Sequence, residues 1–514
     1  MLRTPATLTD GPIGRPGTGW PVPSSQTTDR LSPRDVTTIG VLLLSSFVVI
    51  LNETIMNVAL PRLMVEFSVS PEAVQWLATA FMLTMAVVIP ATGFLLRRLS
   101  TRRAFLLAMG LFSAGTLLAA LAPGFAVLLA ARVVQASGTA IMMPLLMTTI
   151  LDLVPVSRRG VVMGNVSIVI SVAPAIGPTL SGLVLHFLTW RFMFLLVLPI
   201  ALAALLVGAP RLPGDNAEST GRLSIGSVLL SVPAFGGLVF GLSRLGGGHG
   251  SGTTAAASPD PAALIALAVS IVSLAGFVAL QLRLQKRDAA LLDLRPFTYR
   301  PFTLSLVLMV LAMVSLFGTI ILMPMYLQNV RGLDTLATGL LLLPGGLLMG
   351  VLAPFVGRLY DRFGPRPLMV PGSLVLVLVL SQYARLDGST PLGWVLALNV
   401  LMSASFAFIF TPAFTTGLNP LPHRLHSHGS ALLSTLQQLG GAAGTALLVA
   451  LMVAGAAAAA AGGAEAAAAQ VAGLQLGFAA AAAGSGGVFL LSLFMKKSAA
   501  EPGATVEQAA PAAH

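Results

Sequence analysis

Apolar stretches of roughly twenty residues recur along the whole chain, separated by short polar or charged segments. A helix needs about 20 apolar residues to cross the hydrocarbon core of a bilayer. The pattern therefore predicts fourteen helical spans, at 38–61, 73–96, 104–122, 125–151, 161–186, 191–209, 223–243, 261–281, 301–326, 337–357, 367–384, 393–414, 430–453 and 474–495. Glycine and proline are frequent inside these runs, which membrane helices tolerate where neighbouring groups satisfy the freed backbone. The seventh run and the last two are the weakest. The alanine-rich stretch 454–470 reads as a weak external helix or flexible loop with Glu465 in solvent. Residues 1–35 and 498–514 lack an apolar core and read as disordered cytoplasmic tails.

Composition narrows the class. The 514 residues are 56% hydrophobic and 9% charged, against about 25% charged in soluble domains. This is the signature of an all-α polytopic membrane protein. The net charge of +11 does not imply a nucleic-acid partner, because the basic residues sit in short loops between apolar runs. With the N-terminus inside, 23 of the 29 basic residues fall on the cytoplasmic side, five fall outside, and Arg132 lies within a span. That bias predicts a multi-pass protein of the cytoplasmic membrane with both termini cytoplasmic. There is no cysteine, so disulfide and thiolate chemistry are excluded. No phosphate-binding Gly-rich loop with a following Lys and no nucleophile–base pair is recognisable, so neither an enzyme nor a bound cofactor is expected. His423, His426 and His428 cluster in "HRLHSH", but no acidic or Cys residue adjoins them in sequence, so no metal site is expected.

An internal repeat organises the spans. The loop after span two reads "GFLLRRLSTRR" from Gly93, and the loop after span ten reads "GRLYDRFGPRP" from Gly357. The separation of 264 residues equals eight spans. Two six-helix bundles, 36–209 and 300–497, with an inserted two-helix segment at 210–299, account for it. Paired repeats around a central site are the common plan of secondary transporters.

At these residues a family resemblance enters. Gly357, Asp361, Arg362, Gly364 and Arg366 resemble motif A of the major facilitator superfamily; the N-terminal copy keeps Gly93 but has Arg97 in place of the acid. "RVVQASGTA" is similar to motif B through Arg132, Gln135, Gly138 and Ala140. "APAIGPTLSG" resembles motif C, the antiporter signature, through Pro174, Gly177, Pro178 and Gly182. "LNETIMNVALP" and "TLQQLGGAAGTA" are similar to segments of fourteen-span drug:proton antiporters, with Asn52-Glu53-Thr54 and Gln437 as variants that point to the lincomycin-efflux branch. The resemblance covers residues 38–495 and implies a major facilitator fold. It implies proton-driven export of drugs or other amphipathic small molecules, with antibiotic resistance as the consequence. A substrate-specific exporter of a native metabolite or antibiotic is the alternative, and a membrane-embedded enzyme or sensor a more distant one. The expected partners are the lipid bilayer, drug-like substrates and protons, and the expected state is a monomer.

The motifs also carry physical expectations of their own. Gly177-Pro178 in mid-helix removes a backbone donor and predicts a bend, and Gly182 predicts close approach of a neighbouring helix. Asp361 is expected to accept from helix N-termini or to pair with Arg362 or Arg366. Met142, with Gln437 and Gln438, is a candidate for an adaptable cavity wall. Glu53 is the one acid deep within a span, about 12 Å from its predicted outer end at 1.5 Å per residue. Arg132 lies at similar depth in span four, and Ser46, Glu53 and Asn57 share a helical face. Burial favours the neutral acid and a nearby guanidinium favours the carboxylate. Glu53 is thus the expected carrier of the coupling proton, tuned by Arg132, with Asn52, Asn57 and Gln135 around it.

Overall fold

The first helix starts where its sequence dictates. Ser32 Oγ accepts from the Asp35 N–H at 3.1 Å, Asp35 accepts in return from the Ser32 backbone, and Pro33 occupies the first turn. This is a capping box with the proline where its missing N–H costs nothing. The computed structural model of the chain describes residues 32–212, 214, 224–247, 261–287 and 289–496. The expected tails lie almost wholly outside these residues, as do the side chains of Asn57 and Pro178.

All regular structure among the described residues is helical. The N-terminal bundle holds α1 Pro33–Glu66, α2 Pro71–Arg98, α3 Thr101–Ala120, α4 Phe125–Leu153, α5 Arg159–Phe187 and α6 Arg191–Arg211. Next comes α7, in two pieces, Ile225–Ser231 and Gly237–Gly247, joined by a π turn at Val232–Gly236 that contains Pro233. It is followed by α8 Pro261–Leu284. The C-terminal bundle holds α9 Arg300–Met325, α10 Thr335–Phe363, α11 Arg366–Tyr383, α12 Leu392–Leu418, α13 His426–Ala461 and α14 Ala466–Ser492. Thirteen of these spans are long and apolar enough to cross a membrane, and α5 adds 29 helical residues, apolar over Arg159–Pro174.

The packing repeats with an offset of eight helices. Within the first bundle α1 packs on α4, α5 and α6, α2 on α4, and α3 on α4 and α6. Within the second, α9 packs on α12, α13 and α14, α10 on α12, and α11 on α12 and α14. Contacts between the bundles repeat likewise, α5 on α10 and α13 on α2, then α4 on α13 and α12 on α5. The inserted pair α7–α8 leans on α2 and α13 through α7.

Two expectations are corrected here. The alanine-rich stretch is not a loop or a separate external helix. Alanine is the strongest helix former, so α13 continues to Ala461 and α14 begins at Ala466, leaving only a turn whose Gly463 sits at φ +86°. Nor does α1 end near residue 61; it runs on to Glu66, which pairs with Arg191 at 3.2 Å.

Candidate functional site

Helix α4 carries a buried cation, and the surrounding helices are arranged to satisfy it. Arg132 is 1% exposed. Its Nη1 donates to Asn52 Oδ1 on α1 at 3.3 Å and to Gln135 Oε1 one turn along α4, while Nε reaches the Leu77 carbonyl on α2 at 3.5 Å. Its guanidinium lies 4.0 Å from the Phe81 ring centroid, a stacking arrangement favoured for a desolvated cation. Gln135 donates onward to Thr116 on α3 at 2.8 Å. Four helices are thereby tied into one polar network inside an apolar bundle. Gly138, one turn further, lets α4 approach α3 so closely that any Cβ would strike the Phe112 backbone N at 2.6 Å.

Glu53 stands beside this network without being consumed by it. The Arg132 guanidinium contacts Asn52 and Gln135, and no described residue makes an ion pair or hydrogen bond with Glu53. The residue that Arg132 holds on α1 is Asn52, the immediate neighbour of Glu53. Among the described residues Glu53 is the one acid placed in the middle of a span; Asp35, Glu66, Asp152, Asp334 and Asp361 all lie at helix ends or caps. The neighbouring Thr54 donates to the Leu51 carbonyl at 2.9 Å. Thr54 also marks where α5 meets α1, since a Cβ on Gly177 would collide with its Oγ1 and lie 2.8 Å from its Cβ. Gly177 is therefore the packing glycine of its motif. Gly182 is not, because a Cβ there meets nothing within 4 Å. Helix α5 runs unbroken through Pro174, Gly177 and Pro178.

The cytoplasmic-loop motifs resolve into two unequal contacts. Asp361, near the end of α10, accepts from the Gly160 N–H at 3.0 Å and the Val161 N–H at 3.2 Å. A carboxylate at a helix N-terminus satisfies orphan donors and complements the dipole of α5. The backbones can meet because both partners are glycine: a Cβ on Gly160 would lie 2.6 Å from the Gly357 carbonyl. Arg362 lies over the Phe363 ring, and both Arg362 and Arg366 are exposed. Gly364 closes α10 at φ +81°, a conformation that favours glycine. In the other half Gly93 faces His428, and Arg97 Nη1 lies 3.4 Å from His428 Nε2 at the start of α13.

Further ties join the bundles at this same end, and sequence reasoning did not find them. Arg159 bridges the Val154 carbonyl at 3.0 Å and Asn419 Oδ1 at 3.1 Å. Thr148 pairs with Ser430 at 2.9 Å and Ser167 with Thr411 at 2.8 Å. His426 Nδ1 lies 3.0 Å from Asp152 Oδ1. The protein is closed at the end where α2, α4, α10 and α12 finish. The cavity residues fall differently. Met142 is fully buried in the packed core, which removes it from any open wall. Gln438 reaches Met85 Sδ on α2 at 3.7 Å. The Gln437 amide nitrogen is buried with no partner among the described residues.

The eight-helix repeat and these motif contacts agree with comparison to known proteins. The Major Facilitator Superfamily profile matches residues 42–445. The chain belongs to the major facilitator superfamily. It is a multi-pass membrane transporter with that fold. The lincomycin resistance protein LmrB of Listeria innocua is 39% identical over 414 residues, 80% of this chain and 85% of that protein. LmrB of Bacillus subtilis is 37% identical over 405 residues, 79% and 83% of the two chains. A multidrug resistance protein B homolog of Mycobacterium tuberculosis is 30% identical over 441 residues, 85% and 78%. The crystal structure of the human organic anion transporter MFSD10 superposes with a TM-score of 0.63 at 16% identity, covering 90% of this chain and all of that one. At that identity the likeness speaks for the fold.

Proposed function

We propose that this transporter exports amphipathic, drug-like molecules across the cytoplasmic membrane in exchange for protons, with Glu53 as the proton carrier. The observation that carries the reading is Glu53 itself, the one mid-span acid among the described residues, next in sequence to the Asn52 that accepts from Arg132. A charged side chain at mid-bilayer costs roughly 2.5–3.5 kcal/mol by insertion scales. A carboxyl that alternates between neutral and ionised forms carries that cost in only part of the cycle. One charge crossing 100 mV supplies about 2.3 kcal/mol, and the absence of a nucleotide motif leaves an ion gradient as the energy source. Relatives named for lincomycin and multidrug resistance support a drug-like cargo. The unpartnered amide of Gln437 and the Gln438–Met85 contact fit a wall that accepts varied ligands.

With both termini cytoplasmic, the closed end is the cytoplasmic one. The contacts of Asp361 with the first turn of α5 and of Arg97 with His428 then hold the cytoplasmic gate, and the transporter acts as a monomer. The test is a susceptibility and efflux panel on cells with and without the gene. Export of several unrelated amphipathic compounds, lost with a protonophore, supports the reading. Export of one compound alone selects the substrate-specific alternative. Accumulation unaffected by the protonophore overturns proton coupling.

A further inference from the structure

The structure assembles a cluster that its sequence spacing conceals. Asp152 lies in the last turn of α4 in one bundle; in the other, His423 sits in the 3-10 turn His423–Leu425 and His426 is the first residue of α13. His426 Nδ1 lies 3.0 Å and His423 Nε2 3.2 Å from the same oxygen, Asp152 Oδ1, and one ligand atom from each residue lies within 4.8 Å of the others. The opposite side of the His426 ring decides the chemistry. Its Nε2 lies 3.0 Å from the Leu421 carbonyl, which can only accept, so Nε2 carries a hydrogen. In the neutral imidazole Nδ1 is then a bare lone pair aimed at a carboxylate that also only accepts. Two acceptors would then face one another, and either a proton or a metal ion must lie between them.

We propose that Asp152, His423 and His426 form a binding site for a borderline divalent transition metal of the Zn²⁺ type, which pins the two bundles together at the closed end. Zinc takes imidazole and carboxylate ligands at about 2.0–2.2 Å, and tetrahedral geometry then separates ligand atoms by about 3.3 Å. The observed 3.0 and 3.2 Å need only a slight opening. A metal-bound histidine characteristically donates its other N–H to a backbone carbonyl, as His426 does to Leu421. His426 is buried and supplies rigidity, while the His423 side chain is 72% exposed and leaves room for a water as fourth ligand. A metal here fastens α4 to α13 and opposes opening of this end.

The test uses the purified full chain with its affinity tag removed, since a polyhistidine tag also binds zinc. ZnCl₂ is titrated against a chromogenic chelator at neutral pH, with MgCl₂ as control. One zinc per chain is expected. His423→Gln and Asp152→Asn should each weaken it at least tenfold, and affinity should fall as pH drops because protons compete for the ligands. Zinc should also raise the melting temperature of the wild type and not of the variants. His423 is exposed, so His423→Gln folds even if His426→Ala does not. Equal zinc binding by wild type and His423→Gln, or none by either, overturns the site. A pH-dependent melting shift without zinc binding identifies an imidazolium–carboxylate pair instead and overturns it equally. Neither binding readout depends on proton coupling or cargo.

Discussion

The Asp361 carboxylate accepts from the Gly160 N–H at 3.0 Å, joining the end of α10 to the start of α5 across the bundle interface. The corresponding position 264 residues earlier is Arg97, which meets His428 at the start of α13. The acid complements the positive end of a helix dipole, whereas the arginine opposes it and leans on a histidine instead. Pseudo-symmetric loops thus hold the closed end with unequal strength. Charge-assisted hydrogen bonds of this kind are worth about 1.5–3 kcal/mol. Asp361→Asn should lower efflux roughly tenfold or more at matched expression, and Arg97→Ala by about threefold or less, as transport assays on membrane vesicles will show. Equal losses contradict the asymmetry.

Gly177 and Gly182 make a controlled pair. A side chain at Gly177 strikes Thr54 on α1, and one at Gly182 meets open space. Overpacking of this kind costs about 1–3 kcal/mol. Gly177→Ala should depress transport strongly while Gly182→Ala leaves it near wild type. Loss at both positions would show that the motif acts through something other than the α1–α5 approach.

Arg132 is held by Asn52, Gln135, the Leu77 carbonyl and the Phe81 ring. Removing it strands buried polar groups at about 1–3 kcal/mol each. Arg132→Ala should lower the melting temperature of the purified protein by several degrees. Arg132→Lys should recover little of it, since an ammonium lacks the planar fork. Full recovery by lysine would reduce the network to a point charge.

The helical frame was legible because apolar runs of span length survive any detail of packing, and the 264-residue separation of the loop motifs corresponds to the eight-helix offset in the packing. Helix ends were less so. Hydropathy undervalues alanine, whose helix propensity carries α13 to Ala461. Side-chain partnerships were legible only within one motif. Gln135 lies one turn from Arg132, but the Thr116, Phe81 and Leu77 contacts depend on how α2 and α3 dock. Asp152 and His426 are 274 residues apart with nothing in either stretch naming the other. The Gly182 expectation failed because a glycine in a membrane helix marks close packing only where a neighbour is present.

Orientation is open to a clean chemical test because the chain has no cysteine. Single substitutions Ala464→Cys, in the α13–α14 turn, and Arg424→Cys, before α13, lie at opposite ends of the same helix and are both exposed. A membrane-impermeant maleimide on intact cells should label the first and spare the second. The reverse pattern would place the closed end outside.

The central claim is that Glu53 carries the coupling proton. In proteoliposomes with an imposed pH gradient, the wild type should concentrate an amphipathic cation and move protons with it, as read by a pH-sensitive dye. Glu53→Gln, which keeps the shape and loses the titration, should abolish both movements while retaining fold and melting temperature, and Glu53→Asp should keep part of each. If Glu53→Gln still concentrates substrate with a normal counterflow of protons, the proton is carried elsewhere and the account is wrong.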